Sequence, residues 1–317
     1  MIRVGVIRGG ISSEYEVSLN TGANVLAHLR SEAMADKYKA VDILIDKEGI
    51  WHINGIPTTL DSVSNKVDLI MNALHGDFGE DGKVQILLEQ WGIPYTGSGP
   101  FSSALGYNKA LAKERFKSLG IKTPQSVIIT MDSIDREKEP RAIVKDQASF
   151  VWSKIAPPWV VKPVSSDSSF EVKICKTFPE LENALLALIN GNVDILIEEH
   201  IKGKEAKVGI VESFRGKDLY TLPPSEIGNK GEICPGNFTN AEKEELQHLA
   251  SFIHSSFNLD HYSKSDFMVH PKRGIYVLGI DTQPDLNSES SLSKGLESVG
   301  SSIPEFLSHI IKLAHRT

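Results

Sequence analysis

Short apolar runs alternate with longer mixed stretches over the first hundred residues. IRVGVI (2–7) is a continuous β-branched run of the kind buried on both faces, and AVDILID (40–46) and VDLIMNAL (67–74) repeat it. Between the first two, SLNTGANVLAHLR (18–30) has the apolar spacing of a helix. Strand, helix and strand in units of roughly 30 to 40 residues predict a doubly wound parallel sheet, with ligands at the carboxyl ends of its strands. GKVQILLEQWG (82–92) reads as a helix closed by Gly92, and IPYTGSGP as a short strand turning into a glycine-rich loop.

Beyond residue 100 the rhythm changes. SSALGYNKALAKERFKSLGIKTP predicts one long helix, a Pro-bounded connection and the start of a new unit. DREKEPRAIVKDQ (135–147) is dense in charge and reads as a solvated surface excursion. WVVKPV (159–164) and FEVKIC (170–175) predict a hairpin around the loop SSDSS, followed by a helix over PELENALLALIN (179–190). ILIEEHIKGKEAKVGIV (195–211) reads as two strands joined by a polar turn, and KSDFMVH (264–270) with GIYVLGID (274–281) as a second hairpin. IPEFLSHIIKLAHR closes the chain as an amphipathic helix, and no internal repeat is visible.

Length and composition narrow the classes. A chain of 317 residues predicts two or three domains, and 40% hydrophobic with 24% charged residues is a globular composition with a sizeable core. A net charge of -7 spread along the chain argues against nucleic acid as the main partner. The opening MIRVGVIRGG lacks a signal peptide's apolar run, and no stretch approaches the roughly 20 residues that span a bilayer, so a cytoplasmic protein without a membrane partner is expected. Cys175 and Cys234 make neither a disulfide framework nor a zinc site.

Two stretches carry chemistry. In GGISSEYEVSLNTG (9–22), between a strand and a helix, glycines let backbone approach a ligand, and Ser12, Ser13 and Glu14 stand where a charged group could be gripped. Taken alone this reads first as a loop with a helix cap, since glycine pairs after strands are common. NALHGDFGEDGKVQILLEQWGIPYTGSG (72–99) is more specific, with His75, Asp77, Glu80 and Asp81 in a glycine-punctuated loop. Together the two closely resemble the amino-terminal domain of the D-alanine:D-alanine ligases of the ATP-grasp superfamily, whose patterns are GGxSxExxVSxxSG and ALHGxxGEDGxxQxxLExxGIPYTGSG.

The resemblance covers essentially the whole chain. It implies an ATP-grasp fold, α/β and α+β, with an amino-terminal doubly wound domain (1–104) for substrate, a central domain (105–197) and a carboxy-terminal domain (198–317), ATP lying between the last two. The implied reaction is ATP-dependent joining of a carboxylate to an amine through an acyl phosphate. Its product would be D-alanyl-D-alanine for peptidoglycan precursors, and its partners D-alanine or a similar small amino acid and ATP. Glu14 and His75 match substrate-binding positions, and Lys109 and Lys162 match phosphate-side lysines. Glu198, Glu199, His200 and Ile201 align with the adenine hinge, and Glu205 with the ribose acid. Family members are commonly homodimers, which this sequence neither requires nor excludes.

The chain departs from the family pattern around phosphate and metal. Where the family reads close to EGSSxG, this chain has SSDSSFE (165–171): Ser168 and Ser169 are kept, but Asp167 and Glu171 replace glycines in a loop that should approach a polyanion. LPPSEIGNKGEICPGN (222–237) is shorter than the family's closing loop and holds no tyrosine. In the metal strands Lys264 stands for an arginine, Asp266 is kept, Gly279 replaces a glutamate, Asp281 an asparagine and Asp285 a glycine, while Ser288, Ser290 and Ser291 fill the second substrate's segment. Two readings result. One is an active ligase in which Asp266 and Asp281 hold one magnesium ion rather than two, Lys109, Lys162 and Lys264 neutralise phosphate, Glu14 and Ser168 orient D-alanine, and Ser288 and Ser290 receive the second substrate. The other is a silenced homologue kept as a binding protein.

Overall fold

The computed structural model describes residues 1–135, 137–165, 172–228 and 231–315. The chain packs as two units: Met1–Tyr107 with Lys204–Phe267 and Ile280–Thr317, and Asn108–Gly203 with Met268–Gly279.

In the first unit the strand Ile2–Gly9 is the hub of a five-stranded sheet. It pairs in parallel with Tyr38–Ile45 on one side and Leu69–Asn72 on the other, as its unbroken apolar pattern predicts. An antiparallel hairpin, Trp51–Ile53 and Ile56–Thr58, extends one edge. The register sets Gly9 against Ile45 and Ile7 against Asn72, so the loops after the hub and Leu69–Asn72 strands leave the same end of the sheet. Glycine opens the way there: Gly9 and Gly10 have φ of 89° and 97°.

A six-stranded sheet takes the order Gly231–Ile233, Ser225–Gly228, Lys204–Glu212, Tyr262–His270, Gly274–Asp281, with Leu219–Thr221 also paired to Lys204–Glu212. The helix Ile303–Ala314 buries Phe306, Leu307, Ile310 and Ile311, the apolar stripe of the predicted amphipathic helix. That stripe joins Val4, Val6, Leu69 and Met71 of the hub sheet in one core cluster.

The second unit has a four-stranded antiparallel sheet: Ser126–Ile129, Ile195–Glu199, Trp159–Pro163, Lys173–Cys175. The predicted pairing around SSDSS is present, while residues 166–171 lie outside the described ones. Ile195–Glu199 and Lys204–Glu212 are the two strands expected over 195–211, but they belong to different sheets.

Two expectations fail for local reasons. The stretch read as a solvated excursion enters a helix, Pro140–Lys154, which buries Ile143, Val144, Ala148 and Val151. Proline at its first turn starts the helix, and surrounding charge had hidden the apolar stripe. The single long helix is in fact two, Pro100–Tyr107 and Lys109–Ser118. Asn108 between them is extended, and its side chain accepts from the backbone N–H of Ala110 and Leu111, so it stops one helix and caps the next.

Candidate active site

The loop after the hub strand is fixed by serine. Ser18 on the helix Tyr15–Leu29 accepts from Gly9 N and donates to Ala73 O, both at 2.8 Å. Ser12 Oγ donates to the His75 carbonyl at 2.6 Å and accepts from Glu14 N. Glu14 thus lies beside the His75–Gly76 turn, where a Cβ on Gly76 would meet both Ser12 and the Glu14 Cγ.

The second loop is held from below. Asn72 Nδ2 and Gln85 Nε2 both donate to the Gly79 carbonyl, at 3.0 and 2.9 Å. A Cβ on Gly79 would lie 2.5 Å from Leu74 Cβ, so the turn closes only around glycine. Asp77 accepts from Tyr107 Oη at 2.7 Å, and Asp81 pairs with Lys83.

A chain of hydrogen bonds runs through the buried His75 ring. Glu80 Oε1 lies 3.1 Å from Nδ1, Thr21 Oγ1 lies 3.0 Å from Nε2, and the same hydroxyl donates to Asp285 Oδ1 at 2.8 Å. Thr21 has one proton and gives it to Asp285, so it accepts from His75, which places a proton on Nε2. One further proton lies between Nδ1 and Glu80. Burial raises the Glu80 carboxyl to about 7, against its bond to His75 and with help from the Asp281 charge. Burial opposes the His75 imidazolium too, but Glu80, Asp281 and Asp285 outweigh it and raise its pKa. The pair is a shared-proton site near neutral pH, with Asp285 as its third anchor.

Farther along the unit, Lys264 Nζ lies 3.0 Å from Asp281 Oδ2 and 3.9 Å from Asp266 Oδ1. Burial disfavours this ammonium, but Asp266, Asp281 and Glu232 overcome it and keep it charged. Asp281 also accepts from Gln283 N at 2.9 Å through Oδ1, whereas Asp266 Oδ1 is buried and accepts no hydrogen bond. The Glu205 carboxyl nearby is half-buried and raised by desolvation; Lys207 opposes that rise and Asp266 adds to it. Among the described residues no three His, Cys, Asp or Glu side chains converge as a metal centre. Two carboxylates are nevertheless compatible with one magnesium ion that takes its other ligands from phosphate and water.

The serines take structural partners. Ser290 caps the helix Ser291–Ser298, Ser291 donates to Glu232 Oε2 at 2.7 Å, and Ser288 is exposed. Ser168 lies outside the described residues.

In the second unit Lys109 opens its helix beneath the Asn108 cap. Glu198 is buried between two lysines: Lys162 Nζ lies 2.5 Å from Oε2, and Lys113 Nζ pairs with Oε1 and donates to Thr123 at 2.6 Å. Burial opposes the Glu198 charge, but the two ammoniums lower its pKa. Its side chain therefore orients Lys162. Glu199 forms a two-pronged pair with Arg273 at 2.9 and 3.0 Å, His200 N donates to Pro158 O, and Ile201 is buried. Lys113, Thr21 and Glu232 were absent from the sequence-based site. For Lys113 the available signal was its place one helical turn beyond Lys109 in KALAK.

A model described as the D-ala D-ala ligase C-terminus matches residues 116–312, and one for the N-terminus matches 3–61 and 55–98. The D-alanine–D-alanine ligase of Geobacter sulfurreducens is 33% identical, covering 92% of this chain and 86% of its own length. That of Fervidobacterium nodosum is 30% identical and covers 99% of both. The solved structure of the Bacillus anthracis D-alanine–D-alanine ligase complexed with ATP is similar with a TM-score of 0.80 at 28% identity, covering 100% of this chain and 98% of that one.

Proposed function

This chain belongs to the D-alanine–D-alanine ligase family, and from that premise we propose that it joins two D-alanines at the expense of ATP. It is an enzyme with the ATP-grasp fold. The supporting observation is the match of 33% identity over 92% of the chain, and the N-terminal family match over residues 3–61 and 55–98 spans the Glu14 and His75 loops. The silenced-homologue reading has no observation in its favour.

In the proposed reaction ATP phosphorylates the carboxylate of the first D-alanine, and the amine of the second attacks the acyl phosphate. Glu14 receives the ammonium of the first substrate. The Glu80–His75 pair, anchored by Thr21 and Asp285, holds a movable proton beside it. Lys109 and Lys162 contact phosphate, Lys162 being oriented by Glu198, while Glu198 to Ile201 offer backbone to adenine and Glu205 faces ribose. Magnesium, when bound, would neutralise the phosphates, with Asp266 and, where Lys264 releases it, Asp281 as its candidate holders. Ser168, Ser288 and Ser290 are the remaining candidates for orienting the substrates.

We place the reaction in the cytoplasm, with the division 1–104, 105–197 and 198–317 as its functional layout and a homodimer as its assembly. Among the described residues no helix is long and apolar enough to cross a membrane. Purified chain with ATP, magnesium and saturating D-alanine should release phosphate and D-alanyl-D-alanine in step. No dipeptide above the blank would overturn the proposal.

A further inference from the structure

Phosphoryl transfer needs positive charge around the moving group, and enzymes of this class obtain much of it from divalent ions held by carboxylates. Among the described residues around Lys264 most carboxylate oxygens are already engaged. Lys264 and Asp266 stand two residues apart on the strand Tyr262–His270 and so project to one face, and Asp281 ends the neighbouring strand. Asp281 has both oxygens engaged, Oδ2 by Lys264 Nζ at 3.0 Å and Oδ1 by Gln283 N at 2.9 Å. Asp266 keeps Oδ1 without a hydrogen bond, with the Lys264 ammonium 3.9 Å from that same oxygen. Gly279, two residues before Asp281, adds no ligand, and nothing lies within 4 Å of where its Cβ would stand. Of the other carboxylates near Lys264, Glu232 accepts from Ser225 through Oε1 and from Ser291 through Oε2, and Glu205 is half-buried on the neighbouring strand Lys204–Glu212.

We infer that the Lys264 ammonium is a built-in cation standing where a second divalent ion would otherwise sit, so that the chain loads one ion per nucleotide, at Asp266. Lys264 is then a positioning residue that fixes Asp281, and the bridging function of a metal is carried by a covalently attached charge. The inference rests on the nucleotide-binding reading above.

The test counts Mn2+ by electron paramagnetic resonance, with the purified full chain and a non-hydrolysable ATP analogue. One Mn2+ per chain is expected in the wild type. Lys264→Met, which frees Asp281, should raise the count to two, while Lys264→Arg should keep it at one. Two ions in the wild type, or an unchanged count in Lys264→Met, would overturn the inference and leave the ligase reading standing. If Lys264→Met fails to fold, the wild-type count decides alone. Absence of any bound analogue would overturn the proposed function, and the inference with it.

Discussion

Glu80 and His75 make proton binding a stability variable. The folded Glu80 carboxyl titrates at about 7 against an ordinary 4.5, so the folded chain holds a proton that the unfolded chain has released. Stability therefore falls as pH rises through that window. His75, raised above 6.5, adds a loss of the same sign at higher pH. Glu80→Gln should flatten the slope between pH 4.5 and 7 in a series of urea melts; an unchanged slope would contradict the assignment. The Glu198 triad has a simpler consequence. Glu198→Gln leaves the buried Lys113 and the largely covered Lys162 ammoniums facing a neutral amide and should cost about 3–5 kcal/mol in urea denaturation. It should also weaken nucleotide binding through Lys162. At this scale the sequence was only partly readable. Glu14 and His75 were legible because glycines around them marked a ligand-facing loop, but Lys113 in the polar run KALAKERF had only its place one turn beyond Lys109 to set it apart from a solvated charge. Thr21 was equally hidden, since a threonine inside an amphipathic helix carries no mark of the histidine it will meet.

Elements were legible where pattern and environment agreed. The hub strand has no polar side chain except Arg3 and Arg8, and both are paired, with Asp68 and Asp42. The helix Pro140–Lys154 was missed because eight of the thirteen residues in 135–147 are charged, which outweighed the apolar stripe of Ile143, Val144, Ala148 and Val151. The break at Asn108 was missed because capping depends on one extended backbone residue, and the residues on both sides are helix formers. Asn108→Ala should cost about 1 kcal/mol in thermal or urea unfolding, whereas Asn108→Asp, which keeps the cap, should be nearly neutral. Gly79→Ala tests the second loop: its methyl would press on Leu74. A loss of about 1–3 kcal/mol is expected, together with a raised KM for D-alanine, and wild-type values for both would show that the loop has room to spare.

At the level of the whole molecule, each unit has its own apolar core. One cluster gathers Trp159, Val161, Leu181 and Ile197, and another gathers Val6, Met71, Phe306 and Ile310. Separate cores predict departure from two-state unfolding. Trp159→Ala removes a fully buried indole and should destabilise the second unit by about 3–5 kcal/mol. In scanning calorimetry one transition should move down while the other holds, and a single transition shifting as a whole would refute independent unfolding. The topology behind this, with residues 204–267 and 280–317 returning to the amino-terminal unit, could not be read from local pattern. Sheet membership over 195–211 depends on partners far away in the chain.

The short strands Ser225–Gly228 and Gly231–Ile233 carry a last consequence. Glu232 bonds Ser225 of the first strand and Ser291 of the helix Ser291–Ser298, so the hairpin is tethered at its base. An acyl phosphate survives only while water is kept from it. With the segment 222–237 short and tyrosine-free, fidelity of coupling becomes the property at stake: some activated D-alanine should be lost to hydrolysis before the second amine arrives. Phosphate released should exceed dipeptide formed at low D-alanine, and the two should converge as D-alanine rises. A ratio of one at every concentration would mean that the tethered hairpin seals the intermediate as well as a longer loop does.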